Sequence, residues 1–369
     1  MAYTTVAKPK AHFDVQTYAG SSSAKTITGV AFKPDLVWTK DRTEAHQWAC
    51  YDSSRGIKKW LKFDSAQGQN NAGDITVEVD ASLTAFTSDG FTIATMSSDP
   101  IGNKNGNQFA TWMWKANGGT TASNSDGSIT STVQVNSVAK FSIVTYTGTG
   151  SNATIGHGLG VAPKFIIVKR LNDAAQWQTG HFSKTTNANP ETDYIQIDGS
   201  GSADNSDRWN DTLPTTSVVS LGTNVVVNGS GSTYVAYCFA ENKGFSAMGA
   251  YSGITDNADG PMIYTGFRPS MILIKRTDGN ESWQVADIAR GKIEKDGTEG
   301  TRGNTTEYKL LLENAAAENS NSGDLDIYST GFKLRDTDGI HNWTGYKYVY
   351  IAFSQASIVG TNGTIALAY

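Results

Sequence analysis

Three segments of the chain share one pattern: a proline, a run of apolar residues and a charged end. They cover residues 32–42, 161–170 and 267–276. Each run is short and rich in β-branched residues, which is typical of a buried strand, because proline can start a strand but cannot donate to its ladder. In all three, a lysine lies six residues after the proline and a tryptophan lies fourteen after it. Three tandem copies of one structural unit are therefore predicted.

Each predicted unit also opens and closes with a strand of its own. The opening runs start at Phe13, Phe141 and Phe245 and end in turns of small residues. The closing runs carry large rings at matching offsets: Phe109, Trp112 and Trp114; Tyr234, Tyr237 and Phe239; Tyr348, Ile351 and Phe353. Each ring can bury about 150–250 Å². The pattern predicts an all-β fold of three tandem antiparallel β-sandwich repeats, jelly-roll-like and about 105 residues each.

Two further segments, 86–91 and 328–332, read apolar–turn–apolar and predict hairpin corners with glycine in the turn. The second copy diverges here, at 209–212 and 218–221.

The domain prediction follows from these repeats. It comprises an N-terminal arm (1–12), a first unit (13–115), a Gly/Ser/Thr/Asn-rich linker (116–140), a second unit (141–242), a third unit (243–355) and a C-terminal tail (356–369). The linker has the composition of a flexible segment, whereas units two and three are joined by only a few residues. We therefore expect units two and three to pack rigidly, the first unit to be set apart, and the apolar tail to dock on a neighbour.

Composition and charge narrow the class of protein to which the chain can belong. Hydrophobic residues make up 38% and charged residues 18% of the 369, and glycine occurs 38 times, which favours a soluble all-β chain. The net charge of −5 without a basic patch argues against nucleic-acid binding. No apolar run is long enough for membrane insertion, and no secretory signal is recognisable. Cys50 and Cys238 are expected to be reduced and buried, so the fold does not depend on oxidation.

Catalytic and metal-binding motifs are not found in the sequence. None of the five histidines, His12, His46, His157, His181 and His341, has metal-ligand spacing from another, and no Gly-x-Ser-x-Gly elbow occurs. Surface or turn histidines are predicted, with no enzymatic activity, no metal and no cofactor. The acidic turns at 256–260 and 336–339 lack the glutamate that closes an EF-hand. Asx turns explain them more simply, with a weak calcium site as the alternative.

Paired carboxylates for glycoside hydrolysis stay open, because their separation is spatial and not sequential. The candidates in the first unit are Asp35, Asp41, Asp52 and Asp89. The position of Asp35 holds lysine and serine in the other copies, so it is not machinery shared by all units.

Two repeated features have both a structural and a functional interpretation. One is the basic pair at Lys40/Arg42, Lys169/Arg170 and Lys275/Arg276, which we interpret as a strand end reaching solvent or bridging to the next loop. The other is the set Trp48, Trp177 and Trp283. Core packing is the favoured interpretation of these rings, and a ligand-binding platform for sugars, as in a lectin, is the alternative.

Six segments carry a family resemblance: 109–116, 146–148, 156–164, 165–169, 234–240 and 264–269. They resemble an uncharacterised tandem-repeat domain of virion and tail-associated structural proteins of marine bacteriophages. The resemblance covers roughly residues 13 to 353, and this chain departs from the pattern at Thr39, where an aliphatic residue is usual, and in its short tail. It implies structural or host-contact modules of a phage particle, with no catalytic residues to carry over.

The resemblance leads us to expect a bacteriophage virion protein on the particle exterior, assembled in the host cytoplasm. Within that role, a tail fibre or spike component that contacts the host surface is favoured. The alternatives are a capsid (head) decoration protein held by the N-terminal arm, and a glycan-degrading depolymerase. Expected partners are other virion proteins, a host-surface glycan or receptor, and copies of the same chain in a homo-oligomer, for which symmetric closure favours a trimer or larger ring.

Overall fold

The computed structural model describes residues 4–69, 82–94, 102–183, 190–199, 202–204, 207–254, 256, 259–291, 308–319 and 325–356. It confirms an all-β protein of three antiparallel β-sandwich units in tandem. Each unit has a large and a small sheet. Every large sheet contains the opening strand, the closing strand, the proline-led strand and the strand after the tryptophan, in that order. Within the described ranges, no helix is long and apolar enough to cross a membrane.

The first unit follows a short 3-10 turn at Pro9–Ala11. In sheet order, its large sheet consists of β1 (Phe13–Ala19), β8 (Gln108–Trp114), β3 (Leu36–Asp41), β4 (Ala49–Asp52) and β5 (Trp60–Leu61). Its small sheet consists of β2 (Lys25–Ile27), β7 (Gly90–Ile93) and β6 (Leu83–Thr87).

Among the described residues, the second unit has the largest sheet, with eight strands. In sheet order these are β16 (Ser202–Asp204), β15 (Asp193–Gln196), β14 (Gln178–His181), β13 (Phe165–Arg170), β18 (Thr233–Phe239), β11 (Phe141–Thr147), β10 (Ser131–Asn136) and β9 (Ala122–Asn124). Its small sheet pairs β12 (Ala153–Gly156) with β17 (Val218–Leu221), and a single helical turn, α1, spans Val225–Asn228.

The third unit repeats the plan of the first. Its large sheet consists of β19 (Ser246–Ser252), β26 (Lys347–Phe353), β21 (Met271–Arg276), β22 (Gln284–Asp287) and β23 (Leu310–Leu311). Its small sheet consists of β20 (Met262–Tyr264), β25 (Gly331–Leu334) and β24 (Leu325–Tyr328). The opening strand starts one residue later than the repeat predicts, at Ser246, so that Met248 pairs with Ile351 as Val15 pairs with Trp112.

The large sheets are buried on both faces, which explains why the proline-led strands are continuously apolar. On β3, Leu36 and Trp38 face a core that all three units share, whereas Val37 faces the small sheet of its own unit. The same alternation holds on β13 and β21. The chain therefore forms one central core surrounded by three peripheral cores, one inside each sandwich.

A cluster of three rings marks the centre of the shared core. Trp114, Phe239 and Phe353 occupy the same position at the end of the closing strand in each unit. Their centroids lie 6.2 Å (Trp114–Phe239), 5.6 Å (Trp114–Phe353) and 5.5 Å (Phe239–Phe353) apart. Because each unit contributes one ring, the first unit is as deeply embedded as the others. The expectation that it is set apart is wrong.

The segment 116–140 is also not a flexible linker throughout. Its strands β9 and β10 continue the large sheet of the second unit, with β10 paired to β11 over five residues. β10 buries both Val133 and Gln134, which as consecutive residues lie on opposite faces of the sheet, despite the polar composition of the flanking turns.

The described part of the N-terminal arm packs against the core. Val6 of the arm is buried in the shared core, and Thr5 Oγ1 donates to Asn242 Oδ1 at 2.6 Å. The C-terminal tail was predicted to dock on a neighbour, and its residues 357–369 lie outside the described part of the chain.

Both predicted hairpins are confirmed, with Thr87 paired to Gly90 and Tyr328 paired to Gly331. Glycine is needed here because of close approach: a Cβ at either position would overlap a carbonyl oxygen of the neighbouring strand, Ile27 or Ile263. Cys50 and Cys238 are buried and free, as predicted.

Candidate functional site

The repeated tryptophans lie in the interior of the protein. Trp48, Trp177 and Trp283 are fully buried in the shared core, so none presents the exposed face that a sugar-stacking platform needs. Each indole N–H instead donates to a main-chain oxygen of another unit. The bonds run from Trp48 to Leu311 (2.9 Å), from Trp177 to Lys62 (2.7 Å) and from Trp283 to Gln196 (2.7 Å). These rings act as cross-links between units.

The repeated lysines are buried too, which contradicts the interpretation as strand ends reaching solvent. Lys40, Lys169 and Lys275 are fully buried, and burial lowers the pKa of each to about 8. Each ammonium group donates to main-chain oxygens. The acceptors are His46 (2.6 Å) and Ala315 (2.9 Å) for Lys40, Ala66 (2.8 Å) and Ala175 for Lys169, and Arg276 (2.6 Å) and Gly279 (3.2 Å) for Lys275. Ala315 and Ala66 belong to another unit, so Lys40 and Lys169 also join units.

A carboxylate that the sequence reasoning missed accompanies each lysine. Asp198 accepts from the Trp177 main-chain N–H at 2.9 Å, and Glu313 accepts from that of Trp283 at 3.0 Å. Asp64 holds the same position in the first unit, and burial raises the pKa of both Asp64 and Asp198 to about 6. The sequence gives no signal for these acids, because they follow the repeated tryptophans at different distances. In the structure, each acid lies two residues after the residue whose carbonyl accepts an indole bond.

The arginine of the first basic pair lies in a buried ion network between the first and third units. Arg42 Nε donates to Glu318 Oε2 at 2.9 Å, and Arg290 Nη1 donates to Glu318 Oε1 at 2.8 Å. Arg290 also pairs with Asp287 at 2.6 Å. All four side chains are buried, so removal of any one would leave an uncompensated charge in the interior.

The candidate catalytic carboxylates are mostly structural. Asp35 accepts from the main-chain N–H groups of Ala116 (2.7 Å) and Gly118 (2.8 Å). Asp41 accepts from Asn107 at 2.6 Å and lies 2.8 Å from the His46 ring nitrogen, and Asp52 pairs with Arg55. Asp89 is exposed in a hairpin turn. Three of these four carboxylates are therefore engaged in structural bonds, within the first unit or from it to the chain that follows.

The prediction of surface or turn histidines is wrong for His157 and His181, whereas His341 is buried but lies in a turn. His157, His181 and His341 are buried, and burial lowers the pKa of His181 to about 4. In the turn at 336–339, the carboxylate of Asp338 accepts from the Ile340 main-chain N–H at 3.0 Å, as in an Asx turn. The other acidic turn lies partly outside the described residues, at 257–258. Within the part of the chain that is described, no three His, Cys, Asp or Glu side chains are grouped to hold a metal.

One tryptophan differs from all the others. The chain has nine, and eight are buried, whereas Trp343 is 48% exposed. It lies in the loop before β26, at a position the sequence reasoning did not single out. Its ring centroid lies 5.6 Å from that of Tyr346, with the two planes tilted by 41°.

Polar side chains surround this aromatic pair. The Arg276 guanidinium lies over the Tyr346 ring, 3.4 Å from its centroid. Arg276 pairs with Asp278 at 2.9 Å and with Glu281 at 3.6 Å. We call these five side chains, Trp343, Tyr346, Arg276, Asp278 and Glu281, the aromatic cluster.

The loop that carries Trp343 is fixed by its own main chain. The Trp343 N–H donates to the Tyr348 hydroxyl at 2.9 Å, and the Trp343 carbonyl accepts from the Tyr346 N–H at 3.2 Å. A Cβ on Gly339 would lie 3.1 Å from the indole ring and 3.7 Å from a Glu281 carboxylate oxygen. Because Gly339 has no side chain, both the Trp343 indole and the Glu281 carboxylate can lie close to its main chain.

The cluster is confined to the third unit. In strand register, Arg276 opposite Tyr348 corresponds to Arg170 opposite Tyr234 and to Asp41 opposite Phe109. Trp343 lies five residues before Tyr348. The residues five before Tyr234 and Phe109 are Gly229 and Lys104. The aromatic pair Trp343 and Tyr346 is therefore an addition to the repeat, whereas Arg276 occupies one of its repeated basic positions.

Comparison with known proteins gives one match. The model of a family described as "Domain of unknown function (DUF7483)" matches residues 8–357. Comparison with curated proteins and with solved structures gave no match.

Proposed function

We propose that this chain, which belongs to the DUF7483 family, is a structural protein on the exterior of a bacteriophage particle, most specifically a tail fibre or spike component that contacts the host surface. The phage assignment rests on the sequence resemblance. The observation that supports a structural role is the ring of bonds from Trp48, Trp177 and Trp283, by which each unit donates to another.

That ring has a functional consequence. The polar and aromatic residues that recur in all three units are used inside the molecule, so the repeat maintains a shape and does not present a repeated active site. A rigid body with a local surface addition, the aromatic cluster, suits a particle component that positions a contact site. A depolymerase is less favoured, because Asp35, Asp41 and Asp52 are each engaged by hydrogen-bonding or ionic partners within the protein.

The alternative of a head decoration protein requires the N-terminal arm to reach the capsid lattice. In this structure, Val6 is buried in the shared core and Thr5 bonds to Asn242. Release of the arm would expose that apolar surface. The arm therefore favours the tail assignment over a clamp on the head.

Particle fractionation tests the proposal. Purified particles are dissociated at low salt, heads and tails are separated, and the chain is located by mass. Recovery with tails is the expected result. Recovery with heads, at a copy number matching the capsid lattice, would replace the tail assignment with the decoration role, and absence from both fractions would overturn the virion assignment. The mass of the purified chain in solution tests the proposed homo-oligomer.

A further inference from the structure

We propose that the aromatic cluster of the third unit is a binding site for a neutral pyranose of a surface glycan. The proposal deepens the virion function by assigning a ligand class to one surface, and it rests on that function only for its biological setting. The proposal depends on Trp343. This residue is the one exposed tryptophan among nine, and hydrogen bonds and close packing fix its loop.

The indole ring provides the stacking surface. The face of an aromatic ring carries partial negative charge, and it attracts the polarised C–H groups on the apolar face of a pyranose. Trp343 is fixed through its main chain and rests against Gly339, so little side-chain freedom is lost when a ring stacks on it. A mobile surface aromatic would lack this advantage.

The polar members match sugar hydroxyls. Asp278 and Glu281 are carboxylates, which accept hydrogen bonds, and hydroxyl groups donate them. Their common partner Arg276 is held over the Tyr346 ring, so the acceptors have fixed positions. A small number of well-placed polar groups beside an aromatic surface is the usual composition of a small-molecule site.

The charges select among sugars. The cluster contains two carboxylates and one guanidinium, so it carries a net negative charge. A uronic acid or a sulfated sugar would be repelled, whereas a neutral hexose would not. The Arg276 guanidinium already covers Tyr346, which disfavours a cationic ligand on that ring.

The test is calorimetric titration of the purified full chain. The probes are neutral hexasaccharides of glucose, mannose and galactose, with an alginate hexasaccharide as the anionic comparison, each titrated to about 10 mM. At least one neutral probe is expected to bind, and alginate is expected to bind more weakly. Trp343→Ala and Glu281→Gln should each weaken the binding by about tenfold or more, and Trp343→Phe should weaken it less.

Tyr264→Ala is the matched control, because Tyr264 is a 73% exposed aromatic of the same unit outside the cluster. It should bind as the unaltered chain does, and thermal unfolding should show that every variant is folded. Failure of all neutral probes, equal binding by Trp343→Ala, or preference for alginate would each overturn the proposal. Since the assay uses purified protein, such a failure leaves the outcome of particle fractionation unaffected.

Discussion

Trp177 of the second unit donates its indole N–H to the main-chain oxygen of Lys62 in the first unit, at 2.7 Å. Equivalent bonds run from the first unit to the third and from the third to the second. The three bonds close a ring, so that each unit is tied to both of the others. A tandem repeat thereby becomes a single body with one central core.

Removal of one such bond is expected to destabilise the whole protein. Trp177→Phe keeps an aromatic ring in the core but leaves the Lys62 carbonyl without its donor. A buried polar group left unsatisfied costs about 1–3 kcal/mol of unfolding free energy. Denaturant titration measures this loss. The control is Trp343→Phe at the exposed position, which should change the free energy by no more than about 0.5 kcal/mol. Equal stability of the two variants would contradict the role of the bond.

The shared core also predicts that the three units unfold together. Because Trp114 contacts both Phe239 and Phe353, the first unit cannot open without exposing the core of the others. Far-ultraviolet circular dichroism and tryptophan fluorescence should therefore give coincident transitions. An early, separate transition confined to residues 13–115 would show that the first unit is independent after all.

The strands were predictable from sequence, and the shared core was not. On β3, Leu36, Val37 and Trp38 are consecutive apolar residues, which correctly indicates a strand buried on both faces. Nothing in that run distinguishes a face covered by the unit's own small sheet from a face covered by other units. The expected independence of the first unit rested on the composition of the segment 116–140, and the packing of Trp114 against Phe239 and Phe353 contradicts it.

The roles of the repeated lysines and of Trp343 required the structure for a different reason. Lys40 and Lys275 look like solvated strand ends, because the carbonyls that accept their hydrogen bonds come from loops. Trp343 falls outside the repeat, so a comparison of units does not reveal it. Its neighbours in the chain, Asn342 and Thr344, give no signal either, because the buried Trp177 and Trp283 also lie between polar residues.

The buried carboxylate Asp64 predicts a specific pH dependence. Burial raises its pKa from the ordinary value of 3.8 to about 6, so the folded chain holds this proton where the unfolded chain releases it. The resulting stability is complete below about pH 4 and is lost as the pH rises through about 6. Relative to Asp64→Asn, the unaltered chain should lose about 1–2 kcal/mol between about pH 4 and pH 7, allowing for partial exposure.

Unfolding free energies measured across this range check the sign. Asp89→Asn is the control, because it removes a carboxylate that lies in solvent and should leave the curve nearly parallel to that of the unaltered chain. If the unaltered chain instead gains stability relative to Asp64→Asn as the pH rises over this range, the folded state favours the ionised carboxylate, contrary to the burial argument.

The exposure of Trp343 predicts the response of the intrinsic fluorescence to a quencher. Eight tryptophans are buried and one is 48% exposed, so a neutral quencher such as acrylamide should reach a single indole at low concentration. The quenching plot should bend downward, with one accessible fraction and one protected fraction. Trp343→Phe should remove the accessible fraction, whereas Trp177→Phe, if folded, should retain it. Persistence of the accessible fraction in Trp343→Phe would mean that a second indole becomes exposed in solution, contrary to the burial of the other eight.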